Sequence, residues 1–175
     1  MSGGTITLRR AEAADAAALA AFAESTFRET FAHANSEVDL SLHCTKNFSA
    51  AIQGVEIADP RTIIFLAEHD AKLAGFAQLV LGRPVDCVHA DRPSELFRIY
   101  VAGEWHGKGV SIRLLLSTLE AARRAGSDYL WLGVWERNAK AIAFYRKVGF
   151  ESVGEHEFLL GRDPQRDLIM GLGLE

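Results

Sequence analysis

Two spacings of apolar residues alternate along the chain. Alternating or short continuous apolar runs predict strands at 5–11 ("TITLRRA"), 62–70 ("TIIFLAEHD"), 72–82 ("KLAGFAQLVLG"), 95–102 ("ELFRIYVA") and 128–135 ("DYLWLGVW"). A hairpin-like pair at 150–161 and 167–174 closes the chain, and Asp70 with Ala71 forms a tight turn between the second and third strands. The helical period governs 15–32, capped by Asp15, with Leu19, Phe22, Phe27 and Phe31 as its larger apolar positions. A second, less regular helical segment spans 36–58, starting at Ser36 and carrying Leu40, Leu42, Phe48 and Ile52. A third helix runs from about Val110 to Ala125 and closes on Gly126. A fourth is capped by Asn138 and stopped by Gly149 with its apolar latch Phe150.

The order β-α-α-β-β-β-α-β-α-β-β predicts an α/β (α+β) architecture: a mixed, mostly antiparallel sheet, parallel only where a helix crosses over, flanked by about four helices. No repeat, low-complexity tract or linker interrupts it, so 1–175 reads as a single domain. With 175 residues, 49% of them hydrophobic, the chain can bury a proper core. A net charge of −4 argues against a polyphosphate partner such as nucleic acid. "MSGGTITLRR" lacks the apolar core of a leader, no stretch is long enough to span a membrane, and Cys44 and Cys87 stand far apart. These features lead us to expect a cytoplasmic protein with free thiols, no membrane partner and no metal.

"EWHGKGVSIRLL" (104–115) puts Gly107 and Gly109 where a helix is about to start. Glycine weakens helices, so its presence there asks for a reason. A tight strand-to-helix turn is one reason. The other is an anion: a helix's first turn carries free N–H groups and a partial positive charge, and glycine lets a phosphate come close. The Lys-Ser/Thr ending of a P-loop and the third glycine of a dinucleotide fingerprint are both missing.

"IYVAGEWHGKGVSIRLL" resembles the acetyl-CoA loop of the GNAT superfamily of N-acetyltransferases, whose core is Arg/Gln-x-x-Gly-x-Gly/Ala after a strand. "ERNAKAIAFYRKVGF" (136–150) resembles that superfamily's second signature, Asn-x-x-Ala-x-x-Phe-Tyr-x-x-x-Gly-Phe. "TFRETF", "LFRIYV", "YLWLGVWERNAKAIAFY" and "GEHEFLLG…QRDLIM" are similar to the bacterial branch that acetylates polyamines such as spermidine and spermine. Two positions depart from the pattern. His106 stands where Arg or Gln is usual, and Ser111 where Gly or Ala is usual.

The resemblance implies acetyl-CoA as cosubstrate, no metal, and a sheet splayed at the cofactor. It implies pyrophosphate contacts from His106, Gly107, Lys108, Gly109, Val110 and Ser111, and pantetheine contacts from the backbone of Ile99, Tyr100 and Val101. Asn138, Phe144 and Tyr145 would complete the cofactor site, with the Tyr145 hydroxyl near the sulfur as acid. The acceptor would be a small-molecule amine, and the protein a monomer or homodimer.

At pH 7 an alkylamine with a pKa near ~10.4 must give up a proton, which costs ~4–5 kcal/mol, whereas a thiol-like leaving group needs only about 2 kcal/mol of help. Glu95, at the head of the strand before the loop, is the first candidate base; Glu136 is the second, and a water relay is a third route. Glu37 and Asp39, with Glu29, are carboxylates suited to a polycation. Glu155-His156-Glu157 lies on an alternating strand that splits it between two faces, so it reads as an exposed edge and not as a metal site. His89 has no partner in sequence, and Lys46, Arg61 and Arg83 read as surface charges. Transfer to a protein lysine or N-terminal amine is the rival activity, and an acetyl-CoA-sensing module without turnover the rival class.

Overall fold

Tight turns and crossovers between apolar strands build one seven-stranded sheet in the computed structural model, which describes residues 5–175. Residues 1–4, which belong to the stretch read for a leader, lie outside the described residues. The strands are β1 (Thr7–Arg10), β2 (Thr62–His69), β3 (Lys72–Val80), β4 (Pro93–Val101), β5 (Tyr129–Trp135), β6 (Glu151–Leu160) and β7 (Asp163–Gly173). Their order across the sheet is β1-β2-β3-β4-β5-β7-β6. Among the described residues only the β4–β5 pair is parallel, because α4 (Val110–Arg124) carries the chain back between them. Asp70 and Ala71 take positive φ (47° and 60°) to close the β2–β3 hairpin, as the sequence predicts.

Among the described residues five α-helices flank the sheet, one more than expected. The segment 36–58 is two helices: α2 (Glu37–Asn47), capped by Ser36, and α3 (Ala50–Ala58), capped by Ser49. The break follows from Phe48, which leaves the helical region (φ −126°, ψ 71°) and buries its ring, while the Ser49 side chain accepts from the Ile52 amide and starts a new helix. With α1 (Ala16–Phe31) these helices cover one face, sealing a core that includes Leu19, Phe27, Leu40, Leu66 and Phe76. The opposite face is covered by α4 and α5 (Ala139–Val148) over Leu79, Leu96, Leu114, Leu130 and Met170. Strand β7 starts at Asp163, four residues earlier than its apolar pattern, since pairing with β6 runs on through Arg166 and Gln165 to the turn.

The sheet is not continuous across its centre. Pairing between β4 and β5 is confined to Pro93–Glu95 against Tyr129–Trp131. Beyond Glu95 the two strands part, leaving 96–101 of β4 without a β5 partner. On its other side β4 stays paired to β3, with a register shift that makes Phe97 an extra residue in β4. Such a bulge bends a strand, and here it lies just beyond the fork.

Candidate active site

Different groups flank the fork on the two faces of the sheet. On the α4/α5 face, β4 ends at Val101 and the chain passes through Trp105–Gly109 into α4. Gly107 (φ +73°) and Gly109 (φ +81°) both sit in the left-handed region, where other residues are strained. Nothing lies within 4 Å of where a Cβ would project at either, so both glycines face open space. Helices α2, α3 and α5 are closed by side-chain caps from Ser36, Ser49 and Asn138, whereas α4 begins at Gly109 with none. Its first-turn N–H groups therefore keep their capacity to bind an anion.

Other expected loop residues have defined places. The His106 side chain folds back, its Nε2 2.8 Å from the Val101 carbonyl oxygen, so that nitrogen carries the proton and donates. Lys140 Nζ stands 3.4 Å from His106 Nδ1. Lys108 lies over the Trp105 ring, with Nζ 5.0 Å from the centroid. Val110 is buried and Ser111 half-buried in the first turn of α4. Asn138 caps α5 by accepting from the Ala141 amide. Ile99, Tyr100 and Val101 are half-buried along the unpaired side of β4.

Tyr145 projects from α5 and is buried between the rings of Phe144 and Phe150, at 5.3 and 5.8 Å. Burial, and next the negative charge that Tyr100 would carry, push its hydroxyl well above the ordinary phenol range. A phenol so placed stays protonated at any physiological pH. Tyr100 faces the opposite side of the sheet among Phe27, Phe48 and Phe76, and burial pushes it up to about 12.

On that opposite face stands Glu95, the last β4 residue still paired with β5. It is 7% exposed, and desolvation pushes its carboxyl up to about 7 despite the opposing charges of Arg83 and Arg98. Arg83 corrects the reading of it as a plain surface charge: its Nε lies 3.0 Å from Glu95 Oε2, and its guanidinium covers the Phe97 ring at 4.7 Å. The contact lacks hydrogen-bond geometry, leaving Glu95 Oε2 without a hydrogen bond. The loop that carries Arg83 is tied to β5 by a 2.7 Å bond from Trp131 Nε1 to the Arg83 carbonyl. Arg98 is buried beside it and donates to Glu56 Oε2 (2.7 Å) and Gln78 Oε1 (3.0 Å). An arginine inside "ELFRIYVA" is a charge on an otherwise apolar strand and needs buried partners, a signal the sequence carries.

Glu136 sits beyond the end of β5 and accepts from Arg166 Nε at 2.8 Å. It helps line a cavity of about 670 Å³ with Trp135, Glu155, Glu157, Asp163 and Arg166. Glu37 and Asp39 are not among the residues that line it. Glu37 accepts from Arg28 and Ser41, both at 2.8 Å, and Asp39 is held by Ser36 and by the Arg162 amide. Glu29 is exposed on α1. Among the described residues no three His, Cys, Asp or Glu side chains gather as metal ligands, and no helix is long and apolar enough to cross a membrane.

Residues 17–150 match the model of the acetyltransferase (GNAT) family. The chain belongs to that family, and it is an N-acetyltransferase. An uncharacterized N-acetyltransferase of Mycobacterium tuberculosis is 33% identical over 156 residues, covering 89% of this chain and 96% of that one. The spermidine N(1)-acetyltransferase of Escherichia coli K12 is 35% identical over 99 residues, 55% of this chain and 50% of its own. In fold, the chain is similar to the PaiA N-acetyltransferase of Thermoplasma acidophilum in complex with coenzyme A. The TM-score is 0.78 at 22% identity, covering 97% of this chain and 99% of that one.

Proposed function

We propose that this N-acetyltransferase moves an acetyl group from acetyl-CoA to a primary amine of a small polyamine of the spermidine type. The observation that carries the reading is the fork between β4 and β5, with the uncapped α4 loop on one face and the buried Glu95 carboxylate on the other. The open space around Gly107 and Gly109 fits a pyrophosphate, which the first-turn amides of α4 would hold, with Lys108, His106 and Ser111 at its rim. The freed backbone of Ile99–Val101 would bind the pantetheine arm as an added strand does. Asn138, Val110 and Phe144 would support that arm from α4 and α5. When bound, acetyl-CoA supplies an activated acetyl thioester.

The chain's own residues then handle two protons. Glu95, whose carboxyl is pushed up to about 7 by burial, is ionised in about half of the molecules at neutral pH and takes a proton from the acceptor ammonium. Tyr145 Oη gives a proton to the departing sulfur, so the thiol leaves neutral. A backbone N–H of 99–101 steadies the carbonyl oxygen as charge builds there. Glu136 is the weaker candidate for the base, because Arg166 occupies its carboxylate.

Four carboxylates (Glu136, Glu155, Glu157, Asp163) against Arg137 and Arg166 give the 670 Å³ cavity an acidic balance that suits a second or third ammonium. Glu37 and Asp39, already paired, are secondary candidates for such contacts. Thiol release measured across polyamines, aminoglycosides, amino acids and histone-like peptides tests the assignment. A polyamine should lead the series.

A further inference from the structure

The β5–β7–β6 side of the fork carries a second carboxylate that the scheme above does not use. Asp167 opens the apolar half of β7 and pairs across the sheet with Trp135 on one side and His156 on the other. Directly paired residues of antiparallel strands share a face, and every second residue returns to it. Asp167, His156, Trp135 and Gly133 therefore share one face. Trp135 meets Phe31 of α1 (ring centroids 5.9 Å apart), which identifies it as the face covered by α1–α3, the face of Glu95 and Tyr100.

Gly133 is exposed in the middle of β5, between the buried Leu132 and Val134. A Cβ added there would stand 3.2 Å from Asp167 Oδ2 and 3.4 Å from His156 Nε2. The carboxylate and the imidazole thus stand over the bare, exposed backbone of Gly133. The Asp167 side chain is 13% exposed, and His156 Nε2 is 3.7 Å from Oδ2, beyond hydrogen-bond distance. A carboxylate can accept about four hydrogen bonds, so this one has room for a ligand's donors. Burial raises its proton affinity and the neighbouring His156 lowers it; the Asp167 charge is also felt at Tyr100. The acidic cavity opens beside it, sharing His156 and Trp135.

The α4 loop and Tyr145, which the proposed scheme gives to acetyl-CoA, lie on the other face, and that leaves this face to the acceptor. We propose that Asp167, flanked by the ring of Trp135 and backed by His156, is the acceptor-binding residue that holds a cationic ammonium over Gly133. A carboxylate beside an aromatic ring meets both needs of an alkylammonium, an opposite charge for the nitrogen and an apolar surface for its carbons. The inference rests on the acceptor being a cationic amine; it does not require a polyamine.

The test uses enzyme loaded with CoA, titrated calorimetrically with butylamine, putrescine, spermidine and a short peptide bearing a free N-terminal amine. The amine bound most tightly is then followed in steady-state transfer. Asp167→Asn, which keeps shape and removes charge, should weaken amine binding at least tenfold and raise KM to match. The acetyl-CoA affinity should stay within twofold, and kcat at saturating amine within about threefold. The remaining amine affinity should lose much of its salt dependence, which a purely structural role for Asp167 would not alter. Gly133→Ala, whose methyl would crowd Asp167 Oδ2 and His156 Nε2, should weaken amine binding in the same direction with acetyl-CoA binding intact. If Asp167→Asn and Gly133→Ala both bind the preferred amine as the parent does, the inference is overturned, whichever amine is preferred. A preference for the peptide amine, lost in both variants, would sink the polyamine reading and leave this one standing. No amine binding by the parent enzyme would overturn both.

Discussion

Arg83 stands 3.0 Å from the Glu95 carboxylate, yet Glu95 remains half-protonated near neutrality. The two side chains differ sharply in exposure, 45% for Arg83 against 9% for Glu95, so solvent weakens the cation while burial penalises the anion. That balance suits the role of base proposed for Glu95. A salt bridge made for stability would hold the carboxylate well below its ordinary range.

The consequence for stability has a definite sign. Glu95 rises from 4.5 to about 7 on folding, so the folded state binds this proton more tightly than the unfolded chain. Below pH 4.5 both states carry the proton and there is no penalty; between 4.5 and 7 stability falls, and above 7 the whole penalty is present. Glu95→Gln should therefore raise Tm at pH 8 and leave it nearly unchanged at pH 4. The same variant should lower kcat by about 10²–10⁴-fold and remove the ascending limb centred near pH 7. An unaltered pH–rate profile would shift the role to Glu136 or to water.

Gly109 is the position where backbone conformation and ligand approach coincide. Its φ of +81° strains any β-branched residue by about 1–3 kcal/mol, with no neighbour within 4 Å to clash. Gly109→Val should lower Tm by several degrees and weaken acetyl-CoA binding at least tenfold by calorimetry. Unchanged affinity would show that the loop does not hold the pyrophosphate.

Tyr145→Phe removes one hydroxyl from a buried ring and leaves the packing against Phe144 and Phe150 in place. The expected result is a kcat lowered by about 10²-fold or more, with acetyl-CoA affinity within twofold, because the proton is needed at the departing sulfur and not in the ground state. Activity within twofold of the parent would reduce Tyr145 to a packing residue.

His106 fastens the loop to the end of β4 through the Val101 carbonyl. Losing one such bond is worth about 1 kcal/mol, so His106→Ala should raise the acetyl-CoA Kd about fivefold with kcat little changed. A stopped-flow or calorimetric Kd equal to the parent's would leave the bond without a part in cofactor binding.

The parts of this fold that announce themselves in sequence are those governed by local chemistry. Asn138 and Gly149 bracket α5, and Gly107 with Gly109 mark the entry to α4, because caps and left-handed turns need particular residues. The break between α2 and α3 was equally local, and Ser49 signalled it. The apolar pattern of 36–58 masked that signal, since Phe48 fits the helical period and is buried. Asp167, His156 and Gly133 are different. They come together only through the β5–β7–β6 register, and no spacing along the chain connects positions on three strands. The pairing of Arg83 with Glu95 likewise depends on how one loop lies over β5.

The acceptor is tested most directly by competitive kcat/KM for butylamine, putrescine, spermidine and a peptide N-terminal amine, with acetyl-CoA saturating. Each further ammonium should find a carboxylate around the acidic cavity, and remote binding of that kind helps position the reacting nitrogen. An exposed pair contributes only about 0.2–1 kcal/mol and an enclosed one more, so kcat/KM should climb severalfold per charge and the climb should flatten at high salt. A ranking of spermidine above putrescine above butylamine, with the peptide last, is the predicted result. Equal values for spermidine and butylamine, or a peptide amine far ahead of both, would contradict it.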